Sequence, residues 1–271
     1  MTRLHGFSFT IGAALLWSAA SCATQEPPPV PEPPPLTEAP SEPTAFSPDY
    51  EIERLGSHLE PNALGLQTLG KDSARFTIRY SRAWEQSPKA VILIPPVSRL
   101  VTDLPMYSAL ADDFNHNQWS VVAVQLPLLP PGSDIEDYRA LDDIARERIE
   151  ATVSWMRQSG YETFVLFGYK QGAAIAHQFL QGANGEAGVV ALATLGRWQH
   201  SGDLINQPAL QLVGGLDDDG FRIAEQRHYQ WLAQKSTPRL MHVEGAKQQF
   251  DGHAGQVSRY LRGWVQHLAL R

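Results

Sequence analysis

The residues of this chain best placed to do chemistry sit in one pentad, Gly168-Tyr169-Lys170-Gln171-Gly172, between the apolar run "TFVLFG" and a small-residue segment starting at Gln171. An apolar run that ends in glycine and passes within two residues into helix formers predicts a strand, a sharp turn and a helix. A serine at the centre of such a turn would be presented as a nucleophile. Here the central residue is Lys170. A protonated amine is a donor without a nucleophilic lone pair, and an amine that did attack an ester would end as a stable amide. Schiff-base chemistry would need a depressed pKa in an apolar pocket, which the neighbours Tyr169 and Gln171 do not establish.

Metal chemistry finds no support. The nine histidines are scattered, no HExxH or paired-histidine spacing occurs, and Asp217-Asp218-Asp219 lacks the glycine and glutamate of a calcium loop. No metal site and no cofactor are expected. With 29 acidic against 22 basic residues, a formal charge of −7 and no basic cluster, a nucleic-acid partner is not expected either.

Elements that could position the pentad recur along the chain. "RFTIRY" (Arg75–Tyr80) alternates as a half-buried strand does, and "AVILIPP" (Ala90–Pro96) is an apolar run stopped by prolines. A helix is expected near Met106–Asn115, a strand at Ser120–Pro127, and one long helix from Tyr138 to Gln158 with Leu141, Ile144, Ile149, Val153 and Met156 on its apolar face. Beyond the pentad and its helix Gln171–Leu180 follow strands at Gly188–Gly196, Pro208–Gly215 and Arg239–Gly245, with helices at Gly220–Gln234 and Gly255–Leu268. Apolar strands alternating with helices predict an α/β fold with a doubly wound, mainly parallel sheet. With 43% hydrophobic and 19% charged residues, the chain has material for one such core.

The N-terminus carries Arg3, an apolar stretch from about Phe7 to Ala20, then Ser21 and Cys22. That stretch is shorter than the roughly 20 residues of a stable bilayer span, so residues 1–21 are expected to be a secretory signal. Ala19-Ala20-Ser21-Cys22 resembles a bacterial lipobox, which implies lipidation of Cys22, the sole cysteine; its first position is Ala19 where leucine is usual. Acylation would leave no thiol for disulfides, metal ligation or catalysis. Ala23 and Thr24 place no aspartate after the cysteine, and resemblance to enterobacterial lipoproteins then implies the periplasmic face of the outer membrane. From Gln25 to Pro48 prolines dominate, so residues 22–49 are expected to form a lipidated, extended tether; the alternative is a proline ligand for a partner's aromatic groove. The domain proper is expected over residues 50–271.

The order of landmarks from about Phe76 to Leu270 resembles the α/β-hydrolases, and more narrowly an uncharacterised family of α/β-hydrolase-like proteins from Gram-negative bacteria. Gly168 and Gly172 match the elbow glycines, "GLDDD" follows the strand that carries the acid, and "GAKQQFDGH" stands where the base is found. Carried over position by position, the resemblance implies Lys170 for the nucleophile, Asp217 for the acid, Gln248 for the base and Pro95-Pro96 for the oxyanion loop. Glutamine does not exchange a proton near neutrality, and proline has no N–H to donate. Asp217 also reads as an ordinary turn or N-cap aspartate. Joint loss at three positions implies a non-catalytic domain that serves as a binding or scaffolding module, with an envelope protein or glycan as its expected partner and Lys170 paired to Asp217 in place of the lost triad. The competing expectation is a diverged hydrolase acting on an envelope ester or amide, with Ser98 or another hydroxyl as nucleophile and His253 as displaced base.

Overall fold

The computed structural model describes residues 46–56, 65–71, 74–182, 188–199, 205–233 and 237–268, all within one compact unit, Glu42–Arg271. The expected signal segment, Cys22 and the proline tether up to residue 45 lie outside the described residues.

Helix α1 (Pro48–Gly56) comes first, followed by β1 (Leu66–Leu69), β2 (Phe76–Ser81) and β3 (Lys89–Ile94). Then follow α2 (Pro105–Phe114), β4 (Ser120–Val124), α3 (Ile135–Arg139), α4 (Asp142–Gln158), β5 (Thr163–Tyr169) and α5 (Gln171–Gln181). The chain ends through β6 (Val189–Leu195), β7 (Ala209–Gly214), α6 (Asp218–Ala233), β8 (Pro238–Val243) and α7 (Ala254–Leu268). The eight strands form one sheet in the order β1-β2-β4-β3-β5-β6-β7-β8. Pairing is antiparallel for β1 with β2 and for β2 with β4, and parallel from β4 across to β8. This is the doubly wound, mainly parallel α/β sheet expected from the sequence.

Both faces of the sheet are covered, and strand alternation divides the core between them. Along β3, Ala90, Ile92 and Ile94 face the side packed by Ile149, Val153, Met156 and Ile175 of α4 and α5. Val91 and Leu93 face the other side, with Leu110 and Phe114 of α2 and Val257 and Leu261 of α7. Each fully buried aliphatic or aromatic side chain contributes about 1.5–3 kcal/mol, so these two layers hold the strand ends rigidly.

One expected element is divided. The single helix over Tyr138–Gln158 is two, with the break at Ala140-Leu141. Asp134 starts the first helix earlier, accepting from the Glu136 and Asp137 N–H groups while the Asp137 carboxylate accepts from the Asp134 N–H. Asp142 and Asp143 then open α4, where acidic side chains favour a helix N-terminus.

Chain direction reverses across the sheet at β3. The chain leaves β3 through α2 to reach β4 on one side, and returns through α3 and α4 to β5 on the other. At such a switch point two diverging connections open a crevice beyond the carboxyl ends of the strands. The pentad lies there.

Candidate functional site

β5 ends at Tyr169 and α5 begins at Gln171, so a single residue, Lys170, makes the turn. Its backbone is at φ 52, ψ −119, a conformation L-residues seldom adopt and one that costs on the order of 1–3 kcal/mol. The surroundings enforce it. A Cβ at Gly172 would sit 2.2 Å from the Ile94 carbonyl oxygen and 2.4 Å from that of Pro95, and one at Gly168 would sit 2.4 Å from Ala173 Cα. Glycine at both positions lets α5 press against β3 and turn sharply out of β5. The elbow is therefore fully formed, with lysine at its apex.

Around this apex lies a cavity of about 1050 Å³, walled by the loops after β3, β5, β6 and β8. Lys170, Gln248 and Ser98 all line it, as do Pro95 and Pro96; His253 does not. Pro95-Pro96 removes two backbone donors from the loop facing α5. Ser98 is exposed, at φ 66. The His253 ring donates from Nδ1 to the Asp251 carbonyl at 2.7 Å, and its Nε2 would lie 3.4 Å from a Cβ at Gly245. The elbow and the Gln248 loop are tied by Tyr169, whose hydroxyl donates to the Gln249 carbonyl at 2.7 Å and whose ring meets Phe250 edge-on at 6.0 Å. Burial and the charge of Asp251 push the Tyr169 hydroxyl up to about 12, so it remains a donor at physiological pH.

The expected Lys170–Asp217 ion pair is not formed. Asp217 is claimed by Arg197: Nε donates to Oδ1 at 2.8 Å and to Oδ2 at 3.1 Å, and Nη2 also donates to Oδ1. The Asp217 carboxylate further caps α6 by accepting from the Gly220 N–H at 3.1 Å. Burial works to raise the Asp217 pKa, but the Arg197 hydrogen bonds, the Gly220 N–H and the charges of Arg197 and Lys170 outweigh it and hold the carboxyl below its ordinary value. A planar guanidinium matches a carboxylate bidentately where an ammonium cannot. Behind this pair the buried Arg227 donates to Gln211 Oε1 at 2.8 Å and to the Trp198 carbonyl at 2.7 Å, and its guanidinium stacks 3.8 Å over the Trp198 ring. Burial draws Arg227 down to about 9.

Lys170 is left half-buried, with its ammonium 5.5 Å from the centre of the Tyr169 ring. Its pKa is lowered first by burial and then by Arg99, against a weaker upward pull from Asp251 and Asp217. Sequence reasoning missed Arg99 and Arg197. Both follow the carboxyl end of a central parallel strand, which is the signal that could have found them. Among the described residues no group of three histidine, cysteine, aspartate or glutamate side chains could hold a metal ion.

No family model and no curated protein matches the chain. Solved structures do. Est1E from Butyrivibrio proteoclasticus is 11% identical over 76% of this chain and 100% of its own, with a TM-score of 0.60. A dienelactone hydrolase from Anabaena variabilis is 14% identical over 76% of this chain and 97% of its own, at 0.59. A serine hydrolase without a lid from Xanthomonas campestris is 20% identical over 79% and 96%, at 0.55. At these identities the likeness is one of fold: the described domain has the α/β-hydrolase fold.

Proposed function

We propose that this chain is a lipid-anchored envelope protein whose α/β-hydrolase-fold domain binds a ligand, from an envelope protein or glycan or a small molecule near them, without turning it over. The observation that carries the non-catalytic reading is Lys170 at the apex of an intact, strained elbow. An acyl-transfer enzyme needs a hydroxyl or thiol there, an imidazole within reach, a carboxylate to orient it and donors for the oxyanion. This site offers an ammonium, a glutamine, a carboxylate already held by Arg197, and two prolines. The diverged-hydrolase reading draws its support from solved neighbours that are named as hydrolases or an arylesterase. Its geometry is poor, because Ser98 lines the cavity while His253 does not.

The deciding experiment is covalent labelling with a serine-directed phosphonate together with turnover of an activated ester. We expect neither from the wild-type protein, and none from Lys170→Ser, since a hydroxyl at 170 would meet Gln248 instead of a base. Labelling of the wild type that is abolished by Ser98→Ala or His253→Ala would overturn the reading.

The anchor rests on the sequence: an apolar stretch that ends in the chain's only cysteine. Wild type is expected in the membrane fraction and Cys22→Ser in a soluble or unprocessed form. A wholly soluble wild type would end the lipoprotein proposal.

A further inference from the structure

Three of the four non-glycine residues at positive φ among the described residues, Ser98, Lys170 and Phe250, line one cavity; the fourth, Gln118, lies elsewhere. Strain of this kind persists where the surrounding structure over-determines it, and it gathers at ligand sites. Within the same cavity two cations, Lys170 and Arg99, stand without a carboxylate. The other basic side chains on the wall are engaged, Arg139 with Glu136 and Arg197 with Asp217 and Asp219. Lys170 and Arg99 make no side-chain hydrogen bond or ion pair among the described residues.

The half-buried Lys170 loses solvation and also meets the like charge of the exposed Arg99, a cost that a bound anion would reverse. Of the acidic groups on the wall, Asp134 is spent capping α3, Asp142 is on the side of α3, α4 and Gln178, and Asp103, exposed on the same loop as Arg99, forms no ion pair with either cation. Asp251 and Asp217 act on Lys170 from a distance and more weakly than Arg99 does. Apolar side chains share the lining with these cations, among them Met106, Ile135, Ile175, Trp198, Ile223 and Phe250. A cavity of about 1050 Å³ is at the upper end of the volume that takes a whole small molecule.

We propose that this cavity binds an organic acid with an apolar body, its carboxylate held between Lys170 and Arg99 and its body against the accessible apolar lining, Val97, Ile135 and Ile223. The proposal rests on the binding reading above and names the ligand class for it. It also gives the strained lysine a role that the lost triad does not. An ammonium and a guanidinium placed on either side of a carboxylate form charge-assisted hydrogen bonds, the strongest kind available to a soluble ligand.

The test compares decanoate with 1-decanol by titration calorimetry on the purified protein, on Lys170→Gln and on Arg99→Gln, with thermal unfolding to establish that each variant is folded. Wild type is expected to prefer decanoate by about tenfold or more. Each variant should reduce that preference by about tenfold, and Lys170→Arg should keep most of it. Because Arg99 is exposed on a loop, its variant remains informative if Lys170→Gln fails to fold. Equal affinity for acid and alcohol, no decanoate binding, or an unchanged preference in both folded variants would overturn the proposal. Turnover of a decanoate ester with the acid preference intact would instead overturn only the non-catalytic reading.

Discussion

Alanine at Arg148 is expected to lower the unfolding free energy by about 3–5 kcal/mol, the largest effect of any single substitution considered for this chain. Arg148 on α4 and Glu51 on α1 form an ion pair at 2.9 Å, with side chains 4% and 2% exposed. The same guanidinium nitrogen donates to the Gln125 carbonyl at 2.9 Å, and the same Glu51 oxygen accepts from the Leu128 N–H at 2.8 Å. Arg148 also lies 5.3 Å from the Phe76 ring centre and 5.4 Å from that of Phe46. Removing the cation leaves a carboxylate out of water with one remaining donor, a state far costlier than the pair itself is beneficial. Urea unfolding at neutral pH measures the loss. The double variant Glu51→Leu, Arg148→Met should recover most of it, because an apolar pair of similar volume carries no desolvation penalty. A loss under about 1 kcal/mol for Arg148→Ala would mean that water reaches the pair and that α1 is not fastened by it.

Arg197→Ala is expected to cost about 2 kcal/mol near neutral pH, and the cost should shrink in acid. The wild-type Asp217 carboxyl is held below its unfolded value. Its ionised form therefore stabilises the fold at every pH above the unfolded value, near 3.9, and that contribution disappears as pH falls through the folded value. Without Arg197, burial is opposed only by the Gly220 N–H and the more distant Lys170, so the carboxyl moves upward and the neutral-pH contribution is lost. The gap between wild type and variant is widest at neutral pH and closes as Asp217 is protonated in both. Unfolding free energies measured across a pH series check this directly. A gap that stayed constant into acid would show that Arg197 contributes packing against its neighbours and not charge.

The sequence by itself determined the strand–turn–helix at 163–181, because a buried parallel strand, a helix and a sharp turn each leave a local mark: an apolar run, small helix formers, and glycines where a Cβ would strike backbone. It placed lysine, not serine, at the apex, and from this came the expectation of lost catalysis. It also determined the alternation of strands and helices, and hence the sheet class, since each element must bury one apolar face regardless of its neighbours. Partners across the fold were not legible. The sequence pairs Asp217 with Lys170, whereas the fold gives it to Arg197; Glu51 and Arg148, 97 positions apart, carry no mutual signal; and nothing local links Arg99 to Lys170. Which charged side chains meet depends on which strand ends are adjacent, and adjacency follows from the strand order β4-β3-β5-β6-β7, in which the chain reverses direction at β3. Hydrophobic periodicity is a property of neighbouring residues and is written locally, whereas an ion pair between loops exists only after the sheet has brought their ends together.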